Sequence, residues 1–205
     1  VDSALVLGPL VHSFAWRWDD WDRLAAGTLA GHVIECGAQA TGGLFTDWRR
    51  VDGWDEIGYP VIECADDGSF IVTKPDGTGG LVEQATVAEQ IVYEICDPAD
   101  YAMADVVCDL RQVRVSAAGP GRVRVDGARG RPPSDRLKVS VTHADGYQLD
   151  PMLAIRGFDA VGKARKTADA LLARTRTQMR AAGFADYDDV LVELLGAESL
   201  YGPHA

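Results

Sequence analysis

Hydrophobic and polar positions follow three rhythms along this chain. Short apolar runs at Ala4 to Leu7, Val33 to Glu35 and Val106 to Leu110 read as buried strands. Trp21 to Ala30, opening after Asp19 and Asp20, reads as a helix between the first two. That order makes a strand, helix, strand unit, with a right-handed crossover if its strands are parallel. Val61 to Cys64 and Phe70 to Thr73 flank Ala65-Asp66-Asp67-Gly68, a turn signal that predicts a hairpin. Thr86 to Ile95 carries Val87, Ile91, Val92 and Ile95 at helical spacing and closes before Asp97-Pro98. From Gln112 to Val125 the period falls to two, with Val113, Val115, Val123 and Val125 set against Arg114, Ser116, Arg122 and Arg124 around Gly119-Pro120-Gly121. This predicts an exposed antiparallel hairpin. Leu137 to Val141 adds a strand, Pro151 to Gly157 is ambiguous, and Val190 to Leu194 fits a strand or a short helix. Ala160 to Ala182 is the longest helical pattern, with a basic face from Lys163 to Arg180. The fold class that follows is α/β: a mixed sheet with strand-helix-strand units and an antiparallel hairpin extension, in a single domain over residues 1–205.

Composition narrows the function classes. With 205 residues and 47% hydrophobic content the chain can build one substantial core, and its net charge of −11 argues against a nucleic-acid surface. No apolar run reaches membrane-spanning length and no basic region precedes an apolar start, so neither a membrane span nor a secretory signal is expected. Cys36, Cys64, Cys96 and Cys108 contain no CxxC pair; Cys64, Cys96 and Cys108 suit small buried residues in a reducing cytoplasm, and Cys36, in a glycine loop, is the exception. His12, His143 and His204 share no ligand spacing, so no metal site is predicted.

Chemistry-bearing residues concentrate in Gly31 to Trp48, where His32, Glu35, Cys36, Gln39, Thr41 and Asp47 surround Gly37, Gly42 and Gly43. A strand end that unloads such groups into a glycine-rich loop reads either as a ligand site or as a sharp turn whose glycines serve backbone geometry. Glu35 and His32 are candidates for proton transfer, although positions 32 and 35 of a strand point to opposite faces. Cys36 is a candidate nucleophile without a base in its motif. A second glycine loop, Lys74 to Gly80, precedes a helix start and offers Lys74, Thr78, Gly79 and Gly80 to an anion, or forms a turn and helix cap. It lacks the Gly-Lys-Ser/Thr ending of a Walker A loop. Arg129 and Arg131 could hold a phosphate or carboxylate, or belong to a proline-stiffened surface loop. Asp109, at the end of a strand pattern, is either a functional carboxylate or a turn residue. Trp16, Trp18 and Trp21 read as a packed cap or a pocket wall.

ALVLGPL at the start, WDDWDRLAAGTLAGHVIECGAQATGGLFTDW from Trp18 to Trp48, KPDGTGGLV from Lys74, TVAEQIVYEICDP from Thr86 and GARGRPPSDRLKVS from Gly127 together resemble the acyclic terpene utilisation family, AtuA. The resemblance covers nearly the whole chain. It implies a place in the breakdown of acyclic terpenes such as citronellol and geraniol through coenzyme A thioesters. A small-molecule acyl substrate is then expected, with coenzyme A as part of it, and acid-base chemistry of the hydratase, dehydratase or lyase kind. Within that reading Gly42, Gly43, Gly79 and Gly80 supply amides, Glu35 or His32 moves a proton, and Lys74 and Arg131 contact an anion. The chain is expected to be a central piece of a longer one and to form a homo-oligomer. The alternative is a non-catalytic subunit assembling with a carboxylase-type partner.

Overall fold

A helix with no polar face organises the first half of the molecule. In the computed structural model, which describes residues 3–136 and 139–197, α1 spans Leu7–Phe14 and α2 spans Trp21–Glu35. Every residue of α2 from Leu24 to Val33 is buried, the pattern of a helix enclosed on all sides. Its small residues make that enclosure possible. Gly27 receives the side chains of Leu7 and Trp16, and a Cβ at Gly31 would collide with the Ser3 carbonyl. At the other end Gly130 of β7, Arg129–Arg131, lies directly against the Trp21 carbonyl.

Two antiparallel sheets complete the enclosure. One has four strands in the order β1 (Val61–Cys64), β2 (Phe70–Thr73), β6 (Val123–Asp126), β5 (Arg114–Ala117); the other has three, β3 (Tyr101–Ala102), β4 (Val107–Asp109) and β7. The register pairs Phe70 with Val125 and Val72 with Val123, and all four side chains are buried. They join Leu24, Leu29, Val33, Val87, Ile91, Val106 and Cys108 in one core. Full burial of each large apolar side chain stabilises by about 1.5–3 kcal/mol before conformational entropy is counted. Helix α3, Gln84–Val92, lies over this core, and its start is fixed by the Glu83 amide donating to Thr86 Oγ1 at 3.1 Å.

The chain divides into two compact units, Val1–Val141 and Thr142–Ala205. The first holds all the elements above. The second is built on α4, Ala160–Ala181, capped by Asp159, whose carboxylate accepts from the Gly162 amide at 3.2 Å. No described residue of this second unit is buried. Among the described residues no helix is long and apolar enough to cross a membrane.

The fold is mixed α/β, as expected, and both predicted hairpins form, β1 with β2 and β5 with β6. The expected parallel unit does not. Ala4 to Leu7 is a 3-10 turn leading into α1, and Val33 to Glu35 is the last turn of α2. The strand predicted over Val106 to Leu110 forms as β4, but its ladders to β3 and β7 are antiparallel. Among the described residues parallel pairing is confined to one isolated bridge, Ile57 with Gly79. In the second hairpin Val123 and Val125 are buried, so its inner face belongs to the core. Val139 to Val141 and Val190 to Leu194 adopt neither helix nor strand. Leu137, Lys138 and His204 lie outside the described residues.

Candidate functional site

Extending α2 through Glu35 changes the geometry of the candidate proton-transfer pair. Residues 32 and 35 are three apart on a helix and therefore share a face. His32 Nδ1 and Glu35 Oε1 are 2.7 Å apart, the imidazole being 1% exposed and the carboxylate side chain 19% exposed. An ionised carboxylate can only accept, so this contact places a proton on Nδ1 and, in neutral imidazole, leaves the Nε2 lone pair unprotonated. Nε2 is buried without a partner among the described residues. The expectation that these two side chains point apart is thus corrected by the helix.

Two residues absent from the sequence-level site complete the surroundings. Gln90 on α3 is fully buried and donates from Nε2 to the His32 carbonyl at 2.8 Å, while its Oε1 has no partner among the described residues. Tyr101 on β3 meets the imidazole edge to face, with centroids 5.8 Å apart. Gln90 carried a signal: it lies between Val87 and Ile91 on the apolar stripe, and a polar residue on a buried face needs a buried partner. Nothing in the local sequence of Tyr101 marks it. His32 Nε2 and Gln90 Oε1 are thus two buried acceptors without partners among the described residues.

Cys36 follows at the helix end as a half-buried free thiol. Gln39 and Thr41 lie in the 3-10 turn Gly37–Thr41. Thr41 is buried, with its hydroxyl donating to the Gly58 carbonyl at 2.5 Å, and its own carbonyl accepts from the Leu81 amide at 2.8 Å. That link brings the two glycine loops together, with residues 52–58 between them. The amides of Gly42 and Gly43 donate to the carbonyls of Gln39 and Ala38, and those of Gly79 and Gly80 to Glu56 and Asp52. Gly79 and Gly53 touch backbone to backbone, and Gly80, at φ +90°, lies against the Thr41 carbonyl. Lys74 folds over its own loop, Nζ donating to the Thr78 carbonyl at 2.5 Å. Thr78 Oγ1 in turn donates to the Pro75 carbonyl at 2.7 Å. The groups assigned to ligand contact are thus hydrogen-bonded within the protein: the Gly42 and Gly43 amides and Lys74 inside their own loops, those of Gly79 and Gly80 to residues 52–56, and the Thr41 carbonyl to Leu81 across the two.

The remaining candidates sit on the β4–β7 edge. Arg129 pairs with Asp22 at 2.9 Å, Arg131 with Asp100, and Asp109 with Arg111 at 2.6 Å. The Arg111 guanidinium holds the Asp109 carboxyl down at about 2. A polar cleft of about 330 Å³ in the first unit is lined by Asp67, Ser69, Arg114, Arg124, Asp126 and Arg129. Its arginines meet carboxylates, Arg114 and Arg124 both reaching Asp126. Of the predicted site residues it takes in Arg129 alone, and it does not include His32. The second unit carries an apolar groove of about 480 Å³ lined by Leu149, Met152, Leu153, Val161, Leu191 and Leu195, among others. No cluster of three His, Cys, Asp or Glu residues is arranged to hold a metal among the described residues.

The family model described as "Acyclic terpene utilisation family protein AtuA" matches residues 1–204. No curated protein and no solved structure matches the chain.

Proposed function

Since the chain belongs to the acyclic terpene utilisation family AtuA, we propose that it performs acid-base chemistry on an acyl substrate in acyclic terpene breakdown, with His32 as the proton-transfer group. The observation that carries this reading is the pairing of half-buried Glu35 with buried His32, 2.7 Å apart, with Nε2 unpaired among the described residues. Glu35 fixes the tautomer and stabilises the imidazolium, a positioning role; His32 Nε2 accepts the proton. Addition or removal of water across a carbon-carbon double bond next to a thioester, or the related carbon-carbon cleavage, needs such a group. Gln90 ties down the His32 main-chain carbonyl, and Tyr101 packs edge to face on the imidazole. Cys36 stands one residue past Glu35 and is a secondary candidate for covalent chemistry.

The test is to incubate the purified protein with acyl-CoA thioesters of branched unsaturated acids and follow gain or loss of water by mass spectrometry. Turnover in the wild type should fall by roughly a hundredfold or more in His32→Gln and less in Glu35→Gln, where a neutral partner still orients the ring. Full turnover in a folded His32→Gln protein would overturn the assignment. A second reading, a non-catalytic subunit assembling with an enzyme partner, draws on a different observation: neither of the two clefts described above includes His32. Absence of turnover from the isolated protein, with turnover appearing only in a stoichiometric complex and unaffected by His32→Gln, would favour it.

A further inference from the structure

Three regions hold chemistry that the Glu35–His32 pair does not use: the arginine-lined cleft, the core thiol of Cys108 and the second unit. In the cleft the guanidiniums of Arg114, Arg124 and Arg129 already meet carboxylates, and Cys108 is sealed in the core. The second unit is different. It runs from Thr142 to Ala205, yet none of its described residues is buried, and Tyr147, Leu149, Met152, Leu153, Phe158, Phe184 and Leu191 are all more than half exposed. An apolar surface of this extent on a unit without a core marks an interaction face.

Charge says what kind of surface fits it. In a chain of net charge −11, α4 carries Lys163, Arg165, Lys166, Arg174, Arg176 and Arg180 against the single acid Asp169. Arg176 pairs with Asp186, whereas Lys163, Arg165, Lys166 and Arg174 form no ion pair among the described residues. Like charges of this density oppose pairing of two α4 helices with each other. The complement is present in the first unit. Residues 44–59 expose Leu44, Trp48, Trp54 and Tyr59, and interleave them with four acids, Asp47, Asp52, Asp55 and Glu56, against two bases, Arg49, which stacks on Trp48, and Arg50, which is paired with Glu83. Asp52, Asp55 and Glu56 make no side-chain hydrogen bond or ion pair among the described residues. Exposed tryptophan and tyrosine amid carboxylates fit an apolar groove beside unpaired lysine and arginine, as interface anchors do. An anionic membrane is the poorer match, because the rest of the acidic chain is repelled from it.

We propose that the second unit is an assembly arm: α4, with the apolar groove of about 480 Å³ beside it, docks on the acidic aromatic surface of residues 44–59 of a second copy of this chain. The contact is reciprocal in a two-fold dimer, since each copy offers one arm and one receiving surface.

Charge reversal tests it. One variant carries Arg165→Glu and Lys166→Glu, the other Asp55→Arg and Glu56→Arg; all four side chains are exposed, and thermal melting confirms that each variant folds. By light scattering after gel filtration, the wild type should be a dimer or a closed multiple of it. Each variant alone should self-associate more weakly by roughly tenfold or more. Mixing the two should restore wild-type association, because every arm then meets a surface of opposite sign. Lys166→Gln, a milder change, should lie between. A wild type that stays monomeric at every concentration overturns the proposal. So does a mixture that stays dissociated, the result expected when arm and surface meet only within one chain. Binding of the wild type to phosphatidylserine vesicles that is lost in the Arg165→Glu/Lys166→Glu variant would assign the arm to a membrane instead.

Discussion

Cys108 and Asp109 are neighbours on β4 and face opposite ways, as successive strand residues do. Burial pushes the Cys108 thiol up to about 12, while the Arg111 guanidinium holds the Asp109 carboxyl at about 2. The two shifts predict different experiments. A thiol reagent at neutral pH should label exposed Cys96 promptly and Cys108 only on unfolding, which peptide mass mapping would show. For Asp109 the folded value lies below the unfolded value of about 3.9. Its pairing therefore stabilises the fold above that unfolded value, and the contribution disappears as pH falls through about 2. Arg111→Gln should return the Asp109 titration towards its unfolded value when followed by carboxyl NMR. The sequence placed Asp109 correctly at a strand end, but the arginine two residues on makes it part of a turn contact.

The element that sequence reading misjudged most is α2. Val33 and Ile34 are β-branched and follow a glycine, a local pattern that favours ending the helix. Enclosure by α1, the sheets and α3 outweighs that weak propensity, and the helix continues to Glu35. The consequence is chemical, because a helix puts His32 and Glu35 on one face and a strand would not. Gly31 is the position where the packing is tightest. Gly31→Ala should destabilise the protein by about 1–3 kcal/mol, since a methyl group there meets the Ser3 backbone. Gly8 is its control: a Cβ there meets nothing within 4 Å, so Gly8→Ala on α1 should be neutral or stabilise by up to about 1 kcal/mol. Chemical denaturation of both variants measures the contrast.

At the scale of the molecule, the core residues found among those described lie between Leu7 and Ala128. A fragment ending at Val141 should therefore melt cooperatively, at a temperature close to that of the full chain, and should lose self-association with the arm; a fragment that fails to fold would show that the second unit stabilises the first. Alternation and turn chemistry were enough to find both hairpins, because a strand's two faces and a glycine turn are written within a few residues. The helical stripe of α3 and the long pattern of α4 were legible for the same reason, and so was the family, from motifs that run through most of the chain. What the sequence could not decide depended on distant partners. The glycines of residues 42–43 and 79–80 look identical in sequence whether or not their amides have partners in the chain, and in the folded chain those amides bond to carbonyls of other residues. His32 and Glu35 were named from sequence, but their pairing was fixed by the packing that keeps α2 helical, and only tertiary structure brought Gln90 to the His32 carbonyl and Tyr101 to the imidazole. Local propensities differ by less than about 1 kcal/mol per residue, whereas burial of a single large side chain is worth more than that, so contacts between remote segments settled the helix and, with it, the pairing of His32 with Glu35.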